Sequence, residues 1–229
     1  MNFRNSIKKD RFVGIILLPA AVCLMTIASG CHGFSGSPLS FILKFPQTVD
    51  LGELWLIEDV NCFTCGTGEK YLGRAMGKYE ISLPAAHWFV SLRMPKNASA
   101  LLPHLGDDPS LSNLGDINLE SSDVTDDDLR YLAPINLRSI NLSKTRITGK
   151  GLGYLRPNKK WSFVELRDCI ALDPKYLAHF KGWRRSTIRL VSYKWTGEVY
   201  SEKELKLLDT ARRMICDHQP ENVCGTQIR

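Results

Sequence analysis

The chain has 229 residues, 44% of them hydrophobic and 24% charged, which is the composition of an ordinary globular protein of one or two domains. The formal net charge is +6, but residues 1–30 contain four basic residues and one acidic residue, so the rest of the chain carries only +3. A balance this close to neutral excludes any argument from charge for a nucleic-acid partner.

The N-terminal segment has the layout of a secretory signal. Four basic residues precede an uncharged apolar run over residues 12–28. That run is 17 residues long, shorter than the about 20 that a membrane-spanning helix needs, and Pro19 lies within it. The sequence therefore predicts a cleaved signal peptide over residues 1–30 and not a retained transmembrane anchor.

Residues 27–31, Ile-Ala-Ser-Gly-Cys, resemble a bacterial lipobox. The resemblance implies that the signal is cut before Cys31, which then carries a diacylglycerol and, on its amine, an acyl chain such as palmitate. Several acyl chains would anchor the protein firmly to a membrane. His32 stands where an Asp often marks inner-membrane retention in this family, which favours the outer membrane of a bacterial cell envelope. The alternative is an ordinary signal that a cysteine happens to follow.

Two short regions are predicted next. Residues 31–48 comprise the lipidated cysteine and a short tether, because residues 32–39 are rich in Gly, Ser and Pro. Residues 49–86 contain apolar and alternating stretches that favour strands. We expect residues 49–86 to form a small β-rich N-terminal cap over the first edge of the structure that follows.

An apolar pattern then returns every 23 to 24 residues. An Ile or Val followed two positions later by Leu starts at positions 117, 140, 164 and 188, with an earlier copy at Val90. Further apolar residues follow most of these strands at matched distances, as Leu129 and Leu132 follow Leu119. A fixed period in this range indicates stacked repeats, each of which buries its apolar side against the next.

Two of these units resemble leucine-rich repeats. The residues that carry the resemblance are Leu114-x-x-Ile117-x-Leu119-x-x-Ser122-x-Val124-Thr125-Asp126 and Leu137-x-x-Ile140-x-Leu142-x-x-Thr145-x-Ile147-Thr148. Ser122, Thr145 and Cys169 occupy the position where the family usually has Asn or Cys. The resemblance implies an α/β fold over residues 87–195, a short right-handed solenoid with a parallel concave sheet and a short helix after each strand.

The last region, residues 196–229, is predicted to close the open end of the stack. Ser201-x-x-Glu204 is a capping box, and the apolar residues after it share one helical face over residues 202–216. The sequence therefore predicts a C-terminal capping helix followed by a tail.

Alternation along the predicted strands defines a candidate binding surface on the concave face. Its members are Phe89, Asp116, Asn118, Asn141, Phe163, Glu165, Arg167 and Arg189. The two phenylalanines are candidate contact points on this otherwise polar face, unless neighbouring segments cover them. Matching the units position by position also predicts that Arg93 pairs with Glu120 and Glu165 with Arg189 across neighbouring strands.

The remaining cysteines suggest disulfides, because an exported chain meets an oxidising compartment. The local pairs are Cys62–Cys65 and Cys216–Cys224, which would leave Cys169 free. Spacing alone does not fix the connectivity, so these pairs are candidates.

Cys62-x-x-Cys65 also has the spacing that thiol–disulfide oxidoreductases use. The glycines after it disfavour the helix start that lowers a thiol's pKa in those enzymes, so a structural disulfide is the favoured interpretation. A zinc site that adds Cys216 and His218 lacks the second closely spaced ligand pair of structural zinc sites.

No catalytic residue, metal site or cofactor is predicted. The acids at positions 126–128 could suggest calcium, but acids at a helix start need no ion because they face the positive end of the helix. We therefore expect a non-enzymatic envelope lipoprotein that binds or scaffolds a protein or a glycan through its concave face. The alternatives are a thiol–disulfide oxidoreductase that uses Cys62 and Cys65, and a structural envelope protein without a discrete ligand.

Overall fold

The computed structural model describes residues 39–58, 68–84, 88–106, 108–135, 137–155, 162–181, 183, 186–190, 201–216 and 226–228. All of them belong to one unit that spans Gly36–Arg229. The predicted signal peptide, Cys31, Cys62, Cys65 and Cys224 lie outside these ranges, and what was inferred about them stays a prediction. Among the helices in these ranges, none is both long and apolar enough to cross a membrane.

The described chain is a mixed α/β structure. Its strands are β1 Leu39–Lys44, β2 Glu53–Glu58, β3 Glu69–Arg74, β4 Lys78–Leu83, β5 Trp88–Arg93, β6 Leu114–Asn118, β7 Ser139–Asn141, β8 Ser162–Glu165, β9 Ser186–Arg189 and β10 Thr226–Ile228. Its helices are α1 Ala98–Leu101, α2 Glu202–Cys216 and the 3-10 helices Leu102–His104, Pro109–Asn113, Asp127–Leu132, Lys150–Tyr154 and Pro174–Phe180.

Eight of these strands form one mostly parallel sheet, in the order β10-β9-β8-β7-β6-β5-β2-β3. The strands from β10 to β5 run parallel, whereas β2 pairs antiparallel with both β5 and β3. β1 and β4 form a separate antiparallel pair. Because β1 lies within residues 31–48 and buries Leu43, the tether is shorter than predicted.

The strands at the predicted period are direct neighbours in register. Ile117 lies opposite Ile140, Ile140 opposite Val164, and Val164 opposite Ile188. All four side chains are buried, as period-two alternation against an apolar core requires. The prediction that these segments run side by side in the same direction is therefore confirmed.

The register at β5 differs from the predicted one by two residues. Leu92, and not Val90, lies opposite Ile117, and the pairing is irregular between Val90 and Ser91. Gly115 makes this possible, because a Cβ at that position would lie 2.8 Å from the Cβ of Phe89. Every later position of β5 is thus aligned with a different partner in β6 from the one that simple matching of the units predicts.

The predicted short helix after each strand is a 3-10 helix in three successive connections. The apolar side chains of these helices pack against the sheet in one continuous core. The buried residues of the three connections are Leu129 and Leu132, Leu152 and Leu155, and Leu177 and Phe180, of which Leu155 directly follows its helix. Asp173 begins the last of these helices as predicted, since its side chain accepts the N–H of Lys175 and Pro174 follows it.

The turns after β6, β7 and β8 share one backbone geometry. Ser121, Lys144 and Asp168 have φ values of 61°, 59° and 58°, and they lie 23 and 24 residues apart. In the first two turns, a hydroxyl one residue later donates to the carbonyl three positions before it: Ser122 to Leu119 and Thr145 to Leu142, both at 2.7 Å. A small hydroxyl side chain at this position therefore closes the turn from inside.

Asp126 links two neighbouring connections and does not cap the helix next to it. Its carboxylate accepts the N–H and the hydroxyl of Thr148 and the N–H groups of Gly149 and Gly151, at 2.8 to 2.9 Å. Gly151 is needed here because a Cβ would lie 2.2 Å from the backbone oxygen of Asp126. Asp126 therefore does not have the predicted role of a helix-start acid. Its carboxylate instead joins the two connections through these four hydrogen bonds, which we term the clasp.

The C-terminal helix α2 has the predicted bounds and the predicted capping box. Glu204 accepts the N–H of Ser201 at 2.7 Å, and the hydroxyl of Ser201 accepts the N–H of Glu204 at 3.3 Å. Ala211 and Ile215 are buried where α2 packs against the helix Pro174–Phe180. Cys216 is disulfide-bonded, and the Cys216–Cys224 pairing stays a prediction because Cys224 is not among the described residues.

Candidate functional site

One face of the large sheet packs on the core, and the other, termed the polar face, carries polar, charged and aromatic side chains. Strand register aligns these side chains in two rows. The first row is Trp55, Ser91, Asp116, Ser139, Phe163 and Thr187. The second row is Glu53, Arg93, Asn118, Asn141, Glu165 and Arg189. Most of the predicted binding surface lies in these rows.

Four predicted site residues come together at one end of the polar face, and we term them the Glu165 cluster: Phe163, Glu165, Arg167 and Arg189. The Glu165 carboxylate pairs with Arg189 at 2.5 Å and with Arg167 at 3.0 Å. The Arg189 guanidinium also lies 5.0 Å from the ring centroid of Phe163, in cation–π geometry. The predicted Glu165–Arg189 pair is confirmed, and Glu165 is only 8% exposed.

A second group, the Trp55 cluster, lies at the other end of the polar face and comprises Trp55, Glu69, Tyr71 and Arg93. Arg93 pairs with Glu69 at 2.8 Å and lies 4.4 Å above the Trp55 ring. Trp55 in turn packs against Tyr71, with ring centroids 5.2 Å apart. This cluster was not predicted, because residues 49–86 were expected only to cover the first edge of the repeats, and none of their side chains was placed on the binding surface.

The predicted Arg93–Glu120 pair is wrong. The two-residue shift at β5 places Arg93 opposite Asn118, out of line with Glu120. Glu120 instead pairs with Lys144 of the next turn at 2.7 Å. Glu120 and Arg93 each form an ion pair, but with partners that follow from the observed strand register and not from the predicted one.

Asp116 is a buried acid in the middle of the first row, with 9% of its surface exposed. The hydroxyl of Ser91 donates to it at 2.5 Å. Burial raises the pKa of Asp116 and nearby Glu165 adds to this, outweighing the hydrogen bonds from Ser91 and Ser139 and the charge of Arg93, which act to lower it. Burial therefore shifts Asp116 toward its neutral form relative to an exposed aspartate.

Replacing Asp116 by Asn is expected to stabilise the protein at pH 7 by about 1 kcal/mol, since the amide has the same shape and no charge to bury. Because the pKa of Asp116 is raised in the native state, its carboxyl contributes to the free energy of unfolding fully at pH values below its unfolded-state pKa. That contribution is lost as the pH rises from the unfolded-state pKa through the native-state pKa. The gain in unfolding free energy of the Asp116→Asn variant over wild type should therefore shrink as the pH is lowered from 7 toward 4. Urea unfolding at both pH values measures it.

Glu120→Gln is the matched control for that substitution. The hydrogen bond from Lys144 lowers the pKa of Glu120, despite some burial, so loss of its charge should cost a few tenths of a kcal/mol at pH 7. An Asp116→Asn variant that is less stable than wild type at pH 7 would show that Asp116 is held in its charged form.

Three other predicted site residues serve the architecture of the polar face. The side-chain oxygens of Asn118 and Asn141 accept the N–H groups of Glu120 and Ser143, each at 2.9 Å, and so fix the turns. Phe89 is half-buried beside Gly115, and the Arg138 guanidinium lies 5.4 Å from its ring centroid. These residues shape the face, and the asparagine oxygens are already engaged.

The described residues offer little for catalysis or metal binding. In these ranges, no three His, Cys, Asp or Glu side chains are grouped as metal ligands. Cys169 is a free, half-buried thiol that donates to the carbonyl of Leu142 at 3.1 Å. Burial raises the pKa of Cys169, so the reactive thiolate is disfavoured at neutral pH. A narrow cleft between Phe163 and Trp183 has room for about one water molecule.

Comparison of the chain with protein-family models, with curated proteins and with solved structures found no match. What the polar face can do chemically follows from its own side chains. Aromatic rings, guanidinium groups and carboxylates hold one another in place there, and this composition is typical of binding surfaces.

Proposed function

We propose that this protein is a lipid-anchored binding module of the bacterial cell envelope, built as a leucine-rich-repeat solenoid. Its polar face recognises a protein or a glycan, and it performs no catalysis. The observation that carries this function is the Glu165 cluster, in which two arginines, one buried carboxylate and one aromatic ring are fixed together on a sheet face.

The solenoid interpretation is supported by recurrences that go beyond the apolar pattern. The strands at the repeat spacing pair in parallel and in register. Left-handed turn residues recur at Ser121, Lys144 and Asp168. Ser122 and Thr145 close equivalent turns with equivalent hydrogen bonds. Stacked repeats are the simplest structure that requires the same turn at each of these positions.

Recognition is supported by the order of the side chains on the polar face. Arginine and aromatic side chains dominate the energetics of protein interfaces. In the Glu165 cluster, an ion pair with Glu165 restricts each guanidinium group, and the Phe163 ring also contacts that of Arg189. Because these side chains are already restricted before binding, less conformational entropy is lost when a ligand binds.

Anchoring at the envelope is supported by the sequence from residue 27 to the first strand. The lipobox-like segment would place lipid on Cys31, and β1 begins at Leu39. The few residues between them span at most about 25 Å when fully extended. The polar face would therefore work close to the membrane and favour partners that are themselves at the envelope.

The purified protein, immobilised and exposed to solubilised envelope extract, is expected to retain a specific partner. Replacing Phe163 and Arg167 together by Ala should reduce that retention by about tenfold or more, because it removes an aromatic contact and a cation from the face. Quantitative mass spectrometry of the eluted material measures the retention of protein partners, and carbohydrate analysis of the same eluate covers glycans.

Tyr154→Ala with Arg146→Ala is the matched control, since it also removes one aromatic ring and one arginine. Both residues are exposed and lie outside the strands. Retention should be unchanged in this control. A partner lost equally from both double variants, or from neither, would exclude recognition through the polar face and favour a structural envelope protein.

A further inference from the structure

Two aromatic rings meet at the outer edge of the polar face. Trp55 on β2 and Tyr71 on β3 lie opposite each other, with ring centroids 5.2 Å apart and ring planes tilted by 58°. Among the described residues, no strand lies beyond β3 in the large sheet, and 48% of the surface of Tyr71 is exposed. The Tyr71 ring, packed on one side by Trp55, therefore offers apolar surface to a ligand on an otherwise polar face.

The charged groups around these rings are paired with one another. Arg93 pairs with Glu69 at 2.8 Å, and Arg74 pairs with Asp50 at 2.7 Å and with Glu53 at 3.5 Å. Between 32% and 48% of each of these side chains is exposed. Their hydrogen-bond donors and acceptors thus remain within reach of a ligand, although their charges are already compensated.

Trp55 joins the rings to these ion pairs. Its indole N–H donates to Glu53 at 3.2 Å, and the Arg93 guanidinium lies 4.4 Å from its ring centroid. The charge of Arg93 also acts on Asp116 in the first row. A charged ligand would have to displace one member of these ion pairs. A hydroxyl group both donates and accepts, so it can bond to a carboxylate and a guanidinium that stay paired.

We propose that the Trp55 cluster binds an uncharged sugar residue of a glycan, with one C–H face of the sugar on the Tyr71 ring and its hydroxyl groups on Glu69 and Arg93. This rests on the recognition function proposed above and names its ligand class. A sugar ring has apolar faces and a rim of hydroxyl groups, and it therefore matches an aromatic ring bordered by paired polar groups. Four strand spacings, or about 19 Å, separate β2 from β8, so this contact point is distinct from the Glu165 cluster.

The charge of the ligand determines how binding responds to salt. An uncharged sugar forms no ion pair with the protein, so its affinity should hardly change as salt is added. An acidic or a basic peptide would bind through opposite charges, which salt screens. Salt dependence therefore separates a neutral glycan from a charged partner on the same face.

The test is isothermal titration calorimetry of the purified protein at pH 7 with cellohexaose, maltohexaose and chitohexaose, all of them uncharged. At least one should bind saturably, with an affinity that changes less than about twofold between about 50 mM and about 500 mM NaCl. Tyr71→Ala should weaken that binding by about tenfold, and Tyr71→Phe, which keeps the ring, should not weaken it.

Tyr154→Ala is the matched control. Tyr154 is 45% exposed, close to Tyr71, but it lies in the helix Lys150–Tyr154 and not on the sheet. Its replacement should leave the affinity unchanged. Circular dichroism verifies that each variant is folded.

No saturable binding of any of the three oligosaccharides, or tighter binding of hexaglutamate or hexalysine, overturns the neutral-glycan class. Unchanged affinity in Tyr71→Ala, or an equal loss in Tyr154→Ala, overturns the position of the site. If Tyr71→Ala does not fold, the wild-type protein still decides, because a larger loss of affinity with salt would show binding through charge. If no oligosaccharide binds but the Phe163→Ala, Arg167→Ala variant still loses its envelope partner, recognition stands and only the ligand class is wrong.

Discussion

Gly151→Ala is expected to destabilise the protein by about 3 kcal/mol, because the added methyl group meets backbone and not a mobile side chain. A Cβ at Gly151 would lie 2.2 Å from the carbonyl oxygen of Asp126 and 2.8 Å from its Cα. Asp126 cannot retreat, since its own carboxylate holds the N–H groups of Gly149 and Gly151 at 2.9 Å. Relief of the clash therefore breaks the clasp between the two connections. Urea unfolding followed by circular dichroism measures the loss.

Gly153→Ala is the matched control within the same 3-10 helix. Gly153 is exposed, and a Cβ there would approach only the ring of His179, at 3.1 Å. His179 is also exposed and can rotate away, so we expect a change within about 0.5 kcal/mol of zero. Comparable losses from the two substitutions would mean that the cost comes from glycine's backbone freedom and not from the close approach of the connections.

The parallel part of the fold could be predicted from the sequence because one physical constraint acts at every unit. Each strand must bury an Ile or Val beside a Leu, and each connection must return an apolar pair to the same core. The spacing of these residues therefore fixes which strands are neighbours and which side chains are buried, as with Ile117, Ile140 and Val164. It also predicts the Glu165–Arg189 pair, because neighbouring strands of equal register align equivalent positions.

The antiparallel part could not be predicted in this way. β2 and β3 do not share the repeat, so nothing in the spacing indicates that they extend the sheet beyond β5. Trp55 and Tyr71 thus join the polar face through long-range pairing that local pattern does not encode. The alternation of Trp55 with buried Leu54 and Leu56 was the available signal, since it indicates a strand with one face outside the core.

The register of β5 and the role of Asp126 depend on contacts between units. Gly115 permits a close approach to Phe89 that shifts β5 by two residues, and a lone glycine in a strand pattern does not specify such a shift. Asp126 follows Thr125 and precedes a helix, which is the local pattern of a helix-start acid. Its actual partners lie more than twenty residues away, in the next connection. At Asp126 the hydrogen bonds to the next connection thus override the local helix-start pattern.

Asp126→Ala is expected to cost about 3 kcal/mol at pH 7, because it removes four hydrogen bonds to one carboxylate and leaves backbone N–H groups without their acceptor. Asp127→Ala removes the same charge from an exposed neighbouring residue and should cost no more than about 0.5 kcal/mol. Similar losses from both variants would assign the effect to acids at a helix start and contradict the clasp.

The pH dependence of the Asp126→Ala effect separates the clasp from a purely steric role. Burial acts to raise the pKa of Asp126, but hydrogen bonds from Gly151, Thr148 and Gly149 outweigh it and hold the pKa below its usual value. An acid with a lowered native pKa contributes stability above its unfolded value of about 4, and that contribution is lost as pH falls through the native value. The difference in unfolding free energy between wild type and variant should therefore narrow from pH 7 to pH 3. A difference that stays constant over this range would mean that the carboxylate charge is not what joins the two connections.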